Sequence, residues 1–176
     1  FKESEFDYLI TPCASCTATL KELWPVMYSG DRDIAGEIET IASKTMDIAE
    51  FLVDKCGVKA MDSKKEEIVT YHDPCHLKNS LKLTAQPRTL IQAAGERFKE
   101  MSEAGTCCGC GGTFNIHHYQ MSKTIGGRKA DNIINSGAGT VATGCPACMM
   151  QMTDMLSRRN TGIRVKHVVE LYANSL

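Results

Sequence analysis

The sequence predicts an α/β protein with a small, mainly parallel sheet flanked by helices. Two patterns carry that expectation. Short apolar runs stopped by Pro or Gly alternate with longer stretches of helical periodicity. A segment near the N-terminus is also repeated: Ile10-Thr11-Pro12-Cys13-Ala14-Ser15-Cys16 is echoed by Ala142-Thr143-Gly144-Cys145-Pro146-Ala147-Cys148, 132 positions on. Each copy reads as a strand running into C-x-x-C and then a helix.

In chain order, Asp7–Ile10 is a short apolar run ending at Thr11-Pro12-Cys13, and residues 14 to 24 read as helix. Ile34, Ile38, Ile41, Ile48 and Leu52 fall at spacings of one or two amphipathic helices, closed by Gly57. The polar run Asp62–Glu67 marks a boundary between halves. Ile68–His72 is a buried strand stopped by Asp73-Pro74, and Pro87 to Ala94 is a helix with Pro near its first turn. Residues 118 to 135 form a further helix, with Met121, Ile125, Ala130, Ile133 and Ile134 on its apolar side. Thr140–Thr143 is a strand, Pro146 opens the next helix, and His167–Ala173 is a last short one.

Composition narrows the function. With 43% hydrophobic and 23% charged residues in 176, the chain has an ordinary globular makeup. Twenty Lys+Arg against 21 Asp+Glu, a net charge of -1, give no electrostatic case for nucleic acid. No apolar run approaches the ~20 residues of a bilayer span, and no secretory signal is present. The expected location is the cytoplasm, with membrane association only through partner subunits. The chain opens on Phe1 and not Met, and is read as the middle of a longer protein. No G-x-G-x-x-G follows a strand and no Walker-type loop occurs, so nucleotide binding has no support.

The unusual feature is nine cysteines. The count is odd, and neighbours such as Cys107 and Cys108 are poorly placed to staple distant loops, which favours metal binding or thiol redox chemistry in a reducing compartment. Cys75 is followed after 31 residues by Cys107-Cys108, and after a further 36 by Cys145-x-x-Cys148. Cys75 and Cys145 each follow a strand, and in an open parallel sheet such strand ends line one crevice. The glycines of Gly105–Gly112 let backbone approach a bulky group and donate amides to sulfur. Cys148 falls in a helix's first turn, where the dipole favours thiolate. Five thiols in one crevice suit a soft metal or an iron–sulfur cluster. A tetrahedral zinc would use four and leave one over.

These residues resemble the signature of the cysteine-rich CCG-domain family: Cys, a gap of about thirty residues, Cys-Cys-Gly, a second gap, then Cys-x-x-Cys. His72-Asp73-Pro74-Cys75-His76-Leu77, Pro87-Arg88 and Gly144–Cys148 also look like that family. The resemblance implies a complete second CCG repeat over 62–176, preceded by the C-terminal part of a first repeat over 1–61. Cys75, Cys107, Cys108, Cys145 and Cys148 would then ligate a [4Fe-4S] cluster, of non-cubane type in the heterodisulfide reductase branch. Cys13 and Cys16 would belong to a second, incomplete site. Thr113-Phe114-Asn115 and Met149–Met152 look most like the glycolate oxidase and lactate dehydrogenase branch. That implies an electron-transfer module of a multi-subunit oxidoreductase, with a flavoprotein dehydrogenase subunit and other iron–sulfur subunits as partners. Two alternatives stay open: a heterodisulfide-reductase-like centre that cleaves disulfides, and a structural zinc module.

Other residues have plainer readings. Cys110 is a sixth thiol near the cluster, a disulfide partner, or simply a small side chain. His76 is a hydrogen-bond donor to a thiolate or backbone before it is a ligand. His72 reads as a satisfied strand-end side chain, and His117, His118 and His167 as caps. Arg88 is expected in an ion pair, Cys56 in the core, and Met149, Met150, Met152 and Met155 in helix packing.

Overall fold

A computed structural model describes residues 4–63 and 65–176. Phe1, and Lys64 within the polar run taken as a boundary, lie outside the described residues. The N-terminal portion contains β1 (Leu9–Thr11), α1 (Ala14–Ala18), a π-helical segment (Thr19–Leu23), α2 (Trp24–Met27), α3 (Ala35–Lys44), β2 (Thr45–Asp47), α4 (Ile48–Glu50) and a second π-helical segment (Phe51–Lys55). The remainder contains β3 (Ile68–Tyr71), a third π-helical segment (His76–Ser80), α5 (Ala85–Ala93), β4 (Arg97–Phe98), α6 (Phe114–His117), α7 (Tyr119–Asn135), β5 (Thr140–Thr143), α8 (Pro146–Ser157), β6 (Arg164–His167) and α9 (Val168–Ala173).

All strand pairings among the described residues are parallel, as the alternation of strands and helices requires. The strands form two sheets, one of β1 and β2 and one in the order β4-β3-β5-β6. Val69 pairs with Thr140 and Tyr71 with Ala142, so β3 and β5 end at the same level. The chain leaves β3 for β4 on one side and leaves β5 for β6 on the other. Between β3 and β5, therefore, the loops beyond the strand ends diverge and open a crevice.

Two apolar clusters cover the larger sheet. Val141 packs with Ile133, Met152, Met155 and Leu156 of α7 and α8. Val69, Tyr71 and Ala142 pack with Leu90 and Ile91 of α5, Val168 of α9, and Ala49, Leu52 and Val53 from the N-terminal portion. Neighbours Val141 and Ala142 thus serve opposite clusters, as strand side chains alternate. Among the described residues no helix is long and apolar enough to cross a membrane.

Several local expectations need correction. The helical spacing of Ile34 to Leu52 is interrupted by β2, whose three residues are all buried and too few to show alternation. β4 has two residues and β6 is a charged edge strand, and both escaped the sequence pattern. The last helix begins at Val168, with His167 as its cap. The buried side of α7 is Ser122, Gly126, Lys129, Ala130 and Ile133, while Met121 is 60% and Ile134 37% exposed. A Cβ on Gly126 would lie 2.8 Å from Gln151 Nε2 and 2.9 Å from Met155 Cγ, so closeness to α8 selects small residues there over apolar ones. Cys56 is exposed, because it follows the last helical turn and stands beside Gly57, whose φ of +73° ends the helix.

Candidate metal centre

Beyond β3 the chain enters the crevice as His72-Asp73-Pro74-Cys75. His72 N donates to β5 at Ala142 O, 2.9 Å away, which continues the β3–β5 ladder by one residue, and Asp73 N donates to Ala104 O in the turn after β4 at 3.1 Å. The Asp73 carboxylate is buried and takes a bidentate pair from Arg88, at 2.8 and 2.9 Å. Arg88 gives its other N–H groups to Glu100 and to Thr84 O. All five guanidinium donors are thus used, in the ion-pair role expected of Arg88.

The second wall is the glycine-rich turn carrying Cys107, Cys108 and Cys110. Gly109 has φ +92°, and a Cβ there would meet Ser122 O at 2.6 Å, so only glycine lets the turn lie against α7. Ser122 Oγ donates to Gly109 O at 2.7 Å, and Gln151 Nε2 donates to Ser122 Oγ at 3.2 Å. Below the turn, buried Lys129 donates to Glu103 O at 2.5 Å and to Ala104 O at 3.2 Å. Gly109 N reaches back to Cys107 Sγ at 3.3 Å, an amide-to-sulfur bond of the kind the glycines were expected to permit.

The third wall comes from β5. Cys145 is the N-cap of α8 in extended conformation, Pro146 occupies the first turn, and Cys148 follows. Opposite, the echoing segment beyond β1 docks through Ala14 N to Gly144 O at 3.0 Å.

These walls enclose a cavity of about 190 Å³ lined by Cys75, Cys107, Cys108, Cys110, Cys145 and Cys148, together with His72, His76 and Ser15. It is small beside the ~300–1,000 Å³ of organic-ligand pockets. Cys108, Cys110, Cys145 and Cys148 are buried, Cys75 is half-buried and Cys107 is exposed. The sulfurs divide by protonation. Cys108 lies well below the ordinary thiol range because the Cys107 and Cys148 thiols share protons with it, with the His72 ring alongside. Cys145 is lowered likewise by Cys13 and Cys148, and by the Cys148 and Ala147 amides at the start of α8. Cys107 and Cys148 are pushed up by these thiolate neighbours, and Cys75 and Cys110 by burial. The amides at the start of α8 reach the Cys145 sulfur and favour its thiolate form. Sulfurs that share protons in this way form a soft donor set, from which a bound metal would displace those protons.

Cys13 flanks Cys145 from the first copy of the repeat, with its sulfur 3.3 Å from Ser15 Oγ, and Cys16 is exposed. His76 is exposed at the cavity mouth, with Nδ1 3.8 Å from Cys75 Sγ. His167 caps α9 through Nδ1, accepting from Val169 N at 3.2 Å. His117 and His118 are exposed at a helix junction. Met152 and Met155 are packed inside, whereas Met150 is 68% exposed.

His72 contradicts its expected role. Its ring is buried, yet neither nitrogen has a nitrogen or oxygen partner among the described residues, and the ring faces the Cys108 sulfur. One ring nitrogen and the sulfurs of Cys108 and Cys148 lie within 4.8 Å of one another, a group able to hold a metal ion. The available signal was a histidine at the end of a buried strand, two residues before Pro74-Cys75, where that strand meets the crevice. Thiols in this number, sharing protons and joined by a buried imidazole, fit a soft metal or an iron–sulfur group.

Comparison with known proteins agrees with this chemistry. A family model described as "CCG: Cysteine-rich domain" matches residues 69–153. Lactate utilization protein A of Oceanobacillus iheyensis is 33% identical over 172 residues, covering 97% of this chain and 69% of that protein. Lactate utilization protein A 2 of Bacillus cereus strain Q1 is 30% identical over 177 residues, covering 100% of this chain and 72% of its own length. Lactate utilization protein A 1 of Bacillus anthracis strain CDC 684 matches at the same identity and coverage.

Proposed function

This chain belongs to the cysteine-rich CCG-domain family, and from that premise we propose that it is an iron–sulfur electron-transfer module serving the oxidation of lactate or a similar 2-hydroxy acid. The observation that carries the reading is the convergence of Cys75, Cys107, Cys108, Cys145 and Cys148 on one small cavity. In this reading those five sulfurs hold a [4Fe-4S] group, which when bound supplies a one-electron carrier. The names of the relatives supply the substrate class. A flavoprotein dehydrogenase and other iron–sulfur subunits are its proposed partners, in the cytoplasm.

The chain's own contribution is placement and tuning. The neighbouring thiols and amides favour thiolate at Cys108 and Cys145, the Gly109 amide donates to Cys107, and Cys108, Cys110, Cys145 and Cys148 are buried. Exposed Cys107 and half-buried Cys75 stand at the mouth, where a redox partner would approach. The cavity's size argues against an organic disulfide bound beside an occupied cluster.

Anaerobic reconstitution of the chain with iron and sulfide tests the proposal. About four irons with matching labile sulfide, visible absorption and a signal in EPR on reduction are expected. One zinc per chain with no iron uptake and no visible absorption overturns it in favour of the structural-metal alternative.

A further inference from the structure

The imidazole of His72 has no part in a cavity that binds through sulfur alone. It is 1% exposed, and its ring nitrogens lie buried with no nitrogen or oxygen partner, the ring facing the Cys108 sulfur. An imidazole nitrogen is an N–H donor or a lone-pair acceptor, and leaving either unmet in the interior is unfavourable. The neighbouring main chain and carboxylate do not supply a partner. The main chain at His72 is held to Ala142 O, and the next residue's carboxylate is fully engaged by Arg88. What the ring does face is sulfur: a nitrogen of His72 and the Cys108 and Cys148 sulfurs lie mutually within 4.8 Å.

We propose that His72 is a metal donor, with one ring nitrogen joining Cys108 and Cys148 on the same ion; the inference rests on the reading that this cavity holds a metal centre. Metal–nitrogen and metal–sulfur bonds of roughly 2.0–2.3 Å are reached from such a triangle by small inward shifts of side chains. The three donors come from three separate elements: the end of β3, the glycine-rich turn and the first turn of α8. An ion held by them ties these elements together at the sheet's point of divergence. The imidazole also makes the donor set mixed, one nitrogen among sulfurs. An imidazole added to the thiolates brings no negative charge of its own.

Cadmium-113 is a suitable probe, because its resonance reports sulfur against nitrogen ligation and its scalar coupling to imidazole protons identifies the histidine directly. The full chain, reduced and handled anaerobically, receives one equivalent of the ion. One equivalent is expected to bind, with coupling to a single histidine ring that is lost in His72→Ala. His72→Cys is expected to bind one equivalent with the resonance moved toward all-sulfur values, since a donor is kept and the nitrogen removed. Bound cadmium with no coupling to His72 in the unaltered chain overturns the proposal, and so does coupling to His76 alone or failure to bind at all. The unaltered chain decides the matter even where His72→Ala does not fold. Iron and sulfide content separates this outcome from the parent reading. A loaded cluster with cadmium uncoupled from His72 defeats the donor role alone, whereas His72-coupled cadmium with no iron uptake defeats the cluster reading alone.

Discussion

The carboxyl of Asp47 caps a helix in a place that water does not reach. Its Oδ1 accepts from Ala49 N at 2.8 Å, while Oδ2 is buried with no partner. Burial raises its pKa from the ordinary 3.8 to about 6. As pH rises from about 4 to 6 the unfolded chain gives up this proton first, so stability falls through that window. Above it the full penalty of about 3 kcal/mol is present. Asp47→Asn keeps the cap without the charge. The variant should exceed the parent in stability by an amount of that order at pH 8 and lose the advantage near pH 4, as urea denaturation at the two pH values would measure. Equal pH dependence in both chains would refute the assignment. His72 and Asp47 teach the same lesson about sequence reading. Each is a common polar residue at a strand end, and its position alone does not reveal which of its atoms folding leaves without a nitrogen or oxygen partner.

At the level of elements, the turn between β4 and α6 depends on glycine in two different degrees. Gly109 combines φ +92° with an approach of 2.6 Å between a built Cβ and backbone of α7, whereas Gly112 at φ +62° has nothing within 4 Å. Gly112→Ala therefore meets only backbone strain, about 1–2 kcal/mol. Gly109→Ala adds a collision with a helix that cannot yield, and should cost about 3 kcal/mol or more and lower metal content per chain. Denaturation midpoints and metal analysis of the two variants would check this ranking, and equal losses would contradict it. The cysteine-bearing turns were legible in the sequence because sulfur chemistry depends on residue identity and spacing. The short strands were not, since β2, β4 and β6 owe their extended state to neighbours across the sheet and not to their own pattern. The inward face of α7 was misread for a related reason: where helices approach closely, Ser122 and Gly126 are inside because they are small.

Across the whole molecule, the echoed segments of the sequence face each other in space. Ala14 docks on Gly144, Cys13 stands beside Cys145, and Leu52 and Val53 enter the same cluster as Val69 and Val168. The repeat was visible as a shared motif, but its meeting at one crevice depends on sheet order, which spacing alone does not encode. Lys129 draws out a different property of this assembly. Its amine is sealed beneath the stretch leading into Cys107 and Cys108, whereas Lys123 on the same helix is exposed. An acylating reagent can reach Lys129 only when that stretch lifts, so its labelling rate clocks local opening. Mass spectrometry should find Lys129 modified at least about a hundredfold more slowly than Lys123, equivalent to an opening cost near 3 kcal/mol. Filling the cavity should slow it further, because an ion bound to the closed form must leave before the stretch can rise. Comparable labelling of the two lysines would mean that this wall breathes freely, and the buried amine would then report a hinge in place of a seal.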